Sequence, residues 1–262
     1  MTNAPHYTTN LSKAQGMVPE TLELLELWEP GMSVGALKAR VRAMGALGKA
    51  TQVRVDDLVG RGFAQRYLTG DGKPAEWLRH LLLTRAPRGL LRQLTLIYTA
   101  RANLILHDFI REVFWPKYSS RAGEVAKQDA RDFIDRAVSR GALEKRWSDS
   151  MVERVTRYLL GTLVDFELIA DNRFGHRQIR PMFIMPETVV FLAHELHFGG
   201  ADDEEIVRHR DWGLFGLSPA DVISSLEKAA TQGHLFVQHS GSLLRVEWKH
   251  QTMEEMLDAL AR

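Results

Sequence analysis

The 262-residue chain contains no cysteine. Disulfides, thiolate catalysis and cysteine-ligated zinc sites are thereby excluded, and the composition suits a reducing compartment such as the cytoplasm. An excess of charge is also missing. The 34 Lys and Arg against 33 Asp and Glu leave a net charge of +1, so only local clustering can point to a polyanionic partner. No uncharged apolar run is long enough to span a bilayer. The most apolar stretch, "GLLRQLTLIYTARANLILHDFIREVFW", is interrupted by Arg92, Arg101, Asp108 and Arg111 and reads as a buried amphipathic helix. The beginning, "MTNAPHYTTN", lacks the basic-then-apolar pattern of a signal peptide. P-loop and G-x-G-x-x-G motifs are missing too. The expectation is a soluble, non-enzymatic protein with no cofactor and no membrane contact.

One histidine pattern tests for metal. "HELHF" places His194 and His197 three apart around Glu195. A zinc-protease helix needs its histidines four apart with Glu directly after the first, and here the second histidine comes one residue early. With no third ligand in view, these histidines are expected at the surface or partly buried, holding no metal.

What the chain does contain is mostly helical pattern. Residues 1–17 read as a flexible arm. "VPETLELLELWEPG", "SVGALKARVRAMGALG" and "ATQVRVDDLVGRGFAQRYLTG" read as three short helices. Their start signals are Pro19, Ser33 and Thr51, and glycines follow their ends. The third helix offers Val55, Leu58, Val59 and Phe63 as its apolar face. Together they suggest a helix-turn-helix unit. Residues 74–115 read as a helical hairpin broken near Pro87 and ended by Pro116. "KYSSRAGEVAKQ" is the candidate boundary. These breaks suggest an N-terminal helical domain over 18–118.

Beyond the boundary, "QDARDFIDRAVSRG" is a helix with Phe133, Ile134 and Ala137 inward. "KRWSDSMVERVTRYLLGTLVDFELI" follows, capped by Ser148 or by Ser150 with Glu153 in a capping box. Its apolar stripe is Val152, Val155, Leu159, Leu163 and Phe166. A hairpin is predicted around Gly175. Helix, turn, helix, hairpin is the order of a winged helix, placed at 119–186. The order partly recurs in the last unit, 187–262, where a helix beginning at Ser218 precedes a hairpin turned at Ser240 and Gly241. The fold class expected is mainly α, with an N-terminal helix-turn-helix domain and a winged-helix C-terminal part carrying short β-hairpins.

Two basic clusters stand out. Arg154, Arg157 and Tyr158 share the face of the long helix opposite its apolar stripe. Lys145 and Arg146 precede that helix, and Arg173, Arg177 and Arg180 lie on the hairpin behind it. Arginine's planar fork suits phosphates and guanine edges, and basic residues on helix and wing can straddle a groove and its backbone. Glu153, Asp165 and Glu167 dilute this charge. The second cluster is Lys38, Arg40, Arg42, Lys49, Arg54 and Arg61, with Arg66 beyond, opposed by Asp56 and Asp57. The helix before it carries Glu20, Glu23, Glu26 and Glu29, as a partner-binding face or an intramolecular counterweight.

In succession, "LTLIYTARANLILHDFIREVFWPKY", "ALEKRWSDSMVERVTRYLLGTLVDFELI" and "IRPMFIMPETVVFLAHEL" resemble the BrxA family, accessory proteins of BREX phage-defence systems. The segment Trp147–Ser150 is the most specific piece. "KATQVRVDDLVGRGFAQRYL" stands where the family has its first helix-turn-helix. The resemblance runs from about Glu20 onward. It implies double-stranded DNA binding and a role beside the other BREX subunits. A protein-interaction adaptor docking those subunits, or an RNA-binding helical protein, are the rival expectations.

Overall fold

The computed structural model describes residues 6–48, 50–143, 145–171, 177–241 and 243–261. Lys49, Arg173 and the turn around Gly175 lie outside these described residues. The chain divides into two compact units, Met1–Glu76 with Thr95–Met182, and Trp77–Leu94 with Phe183–Arg262. The sequence breaks had instead suggested boundaries near 118 and 186.

The first unit opens with α1 (Val18–Leu27) and α2 (Val34–Met44). Then α3 runs through three contiguous pieces, Gln52–Asp56, Asp57–Phe63 and Ala64–Tyr67. Ser33 and Thr51 cap α2 and α3 as expected, accepting from Ala36 and Arg54 N–H. Val55, Leu58, Val59 and Phe63 are all buried. The middle piece of α3 is wound in the wider π form. There a Cβ on Gly62 would lie 2.5 Å from Met17 Sδ and 2.8 Å from Ala14 Cβ. Only glycine allows residues 14–17 to lie this close.

Those residues belong to the segment expected to be a flexible arm. Its described part, residues 6–17, is a packed strap. Tyr7, Leu11, Ala14 and Met17 are buried, and Asn10–Ser12 forms a short 3-10 turn. Arg66, counted above with the surface cations, is 3% exposed. Its guanidinium donates to the carbonyls of Ala14, Gln15 and Gly16. A cation so placed pins the strap and is not offered to a ligand. At the other end, the Tyr7 hydroxyl donates to Asp108 at 2.8 Å and accepts from Arg140 at 2.6 Å. Burial first, and the Asp108 carboxylate second, hold the phenol protonated far above its ordinary range.

Helices α4 (Lys73–Leu83) and α5 (Arg88–Ala102) carry the chain between the units. In α5 every residue from Leu94 to Ala100 is buried, as a helix enclosed on all sides must be. The apolar stretch is two helices, not one. It breaks at Asn103, whose side chain donates to Thr99 O at 2.8 Å. α6 then runs through Leu104–Phe109, Ile110–Phe114 and Trp115–Ser119. Pro116 therefore does not end the helix. Ile110–Phe114 is again π-wound, with Trp115 N–H reaching back to Ile110 O. The widened turn accommodates a residue that has no N–H to give.

Next come α7 (Lys127–Ser139) and α8 (Asp149–Asp165), then β1 (Ile169–Asp171) paired antiparallel with β2 (Arg177–Ile179). Phe183 and Met185 fall beyond this hairpin, and Phe183 is 77% exposed. An isolated bridge joins Glu124 to Gln178, so β2 lies between β1 and the segment entering α7.

The second unit contains α9 (Pro186–Phe198), α10 (Asp203–Arg208), α11 (Pro219–Thr231), the hairpin of β3 (Leu235–Ser240) and β4 (Leu243–Trp248), and α12 (Met253–Leu260). Ser218 caps α11 and exchanges hydrogen bonds with Asp221. Val246 N–H is taken by the Asp203 carboxylate at 2.9 Å, which satisfies one donor of the outer edge of β4. Among the described residues no helix is long and apolar enough to cross a membrane.

Candidate nucleic-acid interface

Helix α8 starts at its cap. Ser148 has extended backbone, and its hydroxyl accepts from Met151 N–H at 3.4 Å. Ser150 already lies inside the first turn, so the expected box with Glu153 does not form. Val155, Leu159 and Leu163 are buried on one side, while Arg154 and Arg157 are exposed on the other. The Arg157 guanidinium lies 5.3 Å from the Tyr158 ring centroid. Such stacking is worth about 0.5–1 kcal/mol at the surface and steadies the fork.

Glu153 was expected to dilute this face. Instead α7 presents Lys127 and Arg131, four residues apart and so on one helix side. Both pair with Glu153, Arg131 at 2.9 Å. Lys127 first, then Arg131 and Arg157, hold the Glu153 carboxyl below its usual range. The sequence pattern carried this sign only as a spacing on the preceding helix. Asp165 is removed differently. It accepts from Gly16 N–H at 2.9 Å, and burial raises its pKa despite that bond. A Cβ on Gly161 would lie 2.8 Å from Gln15 Nε2. The strap therefore covers the C-terminal part of the outer face, and the open part of α8 is its basic N-terminal half.

The flanking residues divide. Lys145 and Arg146 are exposed ahead of α8. Arg146, Arg131 and Trp147 line a cleft of about 360 Å³ with Asp135 and Asp149, so its charge is balanced. Arg177 is half-buried, 3.9 Å from Asp171. Arg180 is exposed at the end of β2.

The N-terminal cluster is different in kind. Lys38 and Arg42 share Asp56 at 3.0 Å each, and Lys38 first, then Arg42, lower its pKa. Arg40 pairs with Glu29 at 2.8 Å, Arg61 with Asp57 at 3.6 Å, and Arg54 donates to Lys13 O at 2.8 Å. Glu23 accepts from Leu47 N–H at 2.9 Å. The acidic helix is thus partly an intramolecular counterweight. Exposed pairs are worth about 0–1 kcal/mol and can open, but each must exchange before it meets a phosphate. Arg154 has no such partner among the described residues.

The two histidines of "HELHF" diverge. His194 is fully buried, with Nδ1–H donating to Val190 O at 2.8 Å, while His197 stacks on Trp248 at 4.3 Å between ring centroids. Among the described residues no group of three or more His, Asp or Glu is arranged to hold a metal ion.

Comparison with known proteins bears on this architecture. No curated protein matches the chain. The crystal structure of an uncharacterized protein from Magnetospirillum magneticum is similar in fold, with a TM-score of 0.58 at 13% identity over 79% of this chain and 98% of that one. The BrxA family model matches residues 5–195, which takes in the strap, the three N-terminal helices, α7, α8 and the first hairpin. By that match, the chain belongs to the BrxA family.

Proposed function

We propose that residues 123–180 form a winged helix whose α8 contacts duplex DNA, and that the protein is a non-enzymatic DNA-binding accessory of a BREX system. The family membership supports the place beside other BREX components. The order of segments supports the winged helix: an extended stretch at Glu124, two helices, then a hairpin whose β2 pairs on both sides. The observation that carries the DNA reading is the contrast between clusters. Cations at the N-terminus are matched by Asp56, Asp57 and Glu29, whereas Arg154 and Arg157 project from a face where Glu153 is already paired from α7. Phosphate contacts dominate such a surface, with little base reading.

Electrophoretic shifts with duplex, single-strand and RNA probes test it. Duplex is expected to bind best, with affinity falling as salt rises. Arg154→Glu with Arg157→Glu should weaken duplex binding at least tenfold and flatten the salt slope by about two units, at about 0.9 per phosphate contact. The melting temperature should hold, because neither side chain touches the core. Equal binding by this variant, with loss in Arg54→Glu plus Arg61→Glu, would move the interface to the N-terminal helices.

A protein partner is the second reading, and it belongs to residues 219–248. The exposed side of α11 carries Asp221, Ser224, Glu227 and Lys228. A helix so balanced does not suit a polyanion and does suit docking to another BREX subunit.

A further inference from the structure

The end of α6 and the end of β2 enclose a cleft of about 510 Å³ that shares no lining residue with α8. Lys117, Tyr118, Arg121, Ile179, Arg180 and Pro181 make most of its wall, and no carboxylate among the described residues lines it. Lys117 is held by Asp129 at 2.8 Å. Arg121 and Arg180 are exposed and make no ion pair among the described residues. A helix C-terminus ordinarily repels anions through its free carbonyls. Here the carbonyls of Pro116, Lys117 and Tyr118 already accept from Ser120, Ala122 and Arg121 N–H, so the cations prevail.

The two sides are fixed to each other. Ile179 N–H donates to Gly123 O at 2.9 Å, and Arg180 N–H donates to Leu168 O at 2.9 Å. Met182 N–H donates to the Tyr118 hydroxyl at 3.4 Å. The arginine backbones therefore need little ordering when a ligand enters, which lowers the cost of binding. Two guanidinium forks match phosphate oxygens. The phenol ring, Ile179 and Pro181 offer an apolar wall beside them. The volume falls within the roughly 300–1,000 Å³ of small-molecule sites.

We propose that this cleft is a phosphate-binding site for a phosphate ester carried on a flat or apolar body, of nucleotide size. The phosphate can come from a free nucleotide or from a DNA strand, and the two are separable. Calorimetric titration of the full chain with ATP, AMP and inorganic phosphate reads the first source. AMP is expected to bind more tightly than inorganic phosphate, because only AMP uses the apolar wall. Arg121→Ala with Arg180→Ala should weaken nucleotide binding at least tenfold and leave the ligand-free melting temperature unchanged. If wild type takes up no nucleotide but the same variant binds duplex tenfold more weakly, the phosphate is that of DNA and the site stands. Should neither nucleotide nor duplex binding depend on these two arginines, the proposal is overturned. The Arg154→Glu, Arg157→Glu variant should bind nucleotide like wild type, so failure of the α8 reading leaves this result intact.

Discussion

Ile97→Asp is expected to yield no folded protein. Ile97 is fully buried in α5, within a run from Leu94 to Ala100 that has no solvent-facing side. The next residue, Tyr98, meets Tyr67 edge-on at 6.1 Å between ring centroids, and the Tyr67 and Thr99 hydroxyls lie 3.4 Å apart. Placing a carboxylate there costs several kcal/mol for the unpaired polar group, and the lost burial of the isoleucine adds about 1.5–3 kcal/mol. Together these are comparable to a typical net stability of roughly 5–15 kcal/mol. Ile97→Val, which keeps shape and polarity, should cost only about 0.5–1.5 kcal/mol. Soluble yield and far-ultraviolet circular dichroism check both. An Ile97→Asp protein that is soluble and melts like wild type would place this residue at the surface and undo the assignment of α5 as a buried helix.

Much of the fold was legible because helix signals are local. Ser33, Thr51, Ser148 and Ser218 cap where the pattern puts them, and the stripes of α3, α7 and α8 are buried as their periodicity requires, save Val152 at the start of α8, which is half-buried. What was not legible depends on contacts between distant segments. No periodicity marks residues 7–17 as a strap, since its anchors are Arg66, Asp108, Arg140 and Asp165. The π-wound pieces escape a 3.6-residue template for the same reason: Gly62 is there to admit Met17, and Pro116 looks like a stop until the turn before it is seen to widen. At the interface the cations were visible in sequence but their partners were not. Charge counting treated Lys38 and Arg154 alike. Only tertiary pairing shows that Asp56 takes the first while Lys127 and Arg131 take Glu153, the neighbour of the second. Arg121 and Lys117 stand in a segment that reads as a boundary, and they join Arg180 in one cleft only because Ile179 pairs with Gly123.

The second unit is expected to loosen in mild acid while the first holds. His194 is the cause. It is fully buried, and Nδ1–H spends its proton on Val190 O. Nε2 has no hydrogen-bond partner among the described residues, so a second proton would bring an unpaired charge inside. Burial is the main reason its pKa falls from 6.5 to about 4, and His250, His234 and His197 push it the same way. The rings lie close, with His250 5.5 Å from His194 and 5.9 Å from His234 between centroids. Burial also lowers His197, His234 and His250, against partial relief from Asp203, Glu187 and Glu255 respectively. All four are therefore favoured neutral in the fold and free to charge when unfolded. The folded pKa lies below the unfolded one, so stability is full above about pH 6.5 and is lost as pH falls towards 4. For His194 alone the full loss is about 3 kcal/mol, at 1.36 kcal/mol per pKa unit. Hydrogen exchange followed by mass spectrometry should show faster exchange over residues 186–260 at pH 5 than at pH 7 after correction for intrinsic rates, with residues 149–165 little changed. His194→Asn keeps a donor near Val190 O and removes the titrating nitrogen, so most of the pH dependence should go with it. If wild type exchanges alike at both pH values, or if His194→Asn retains the full acid sensitivity, His194 is not what limits this unit in acid.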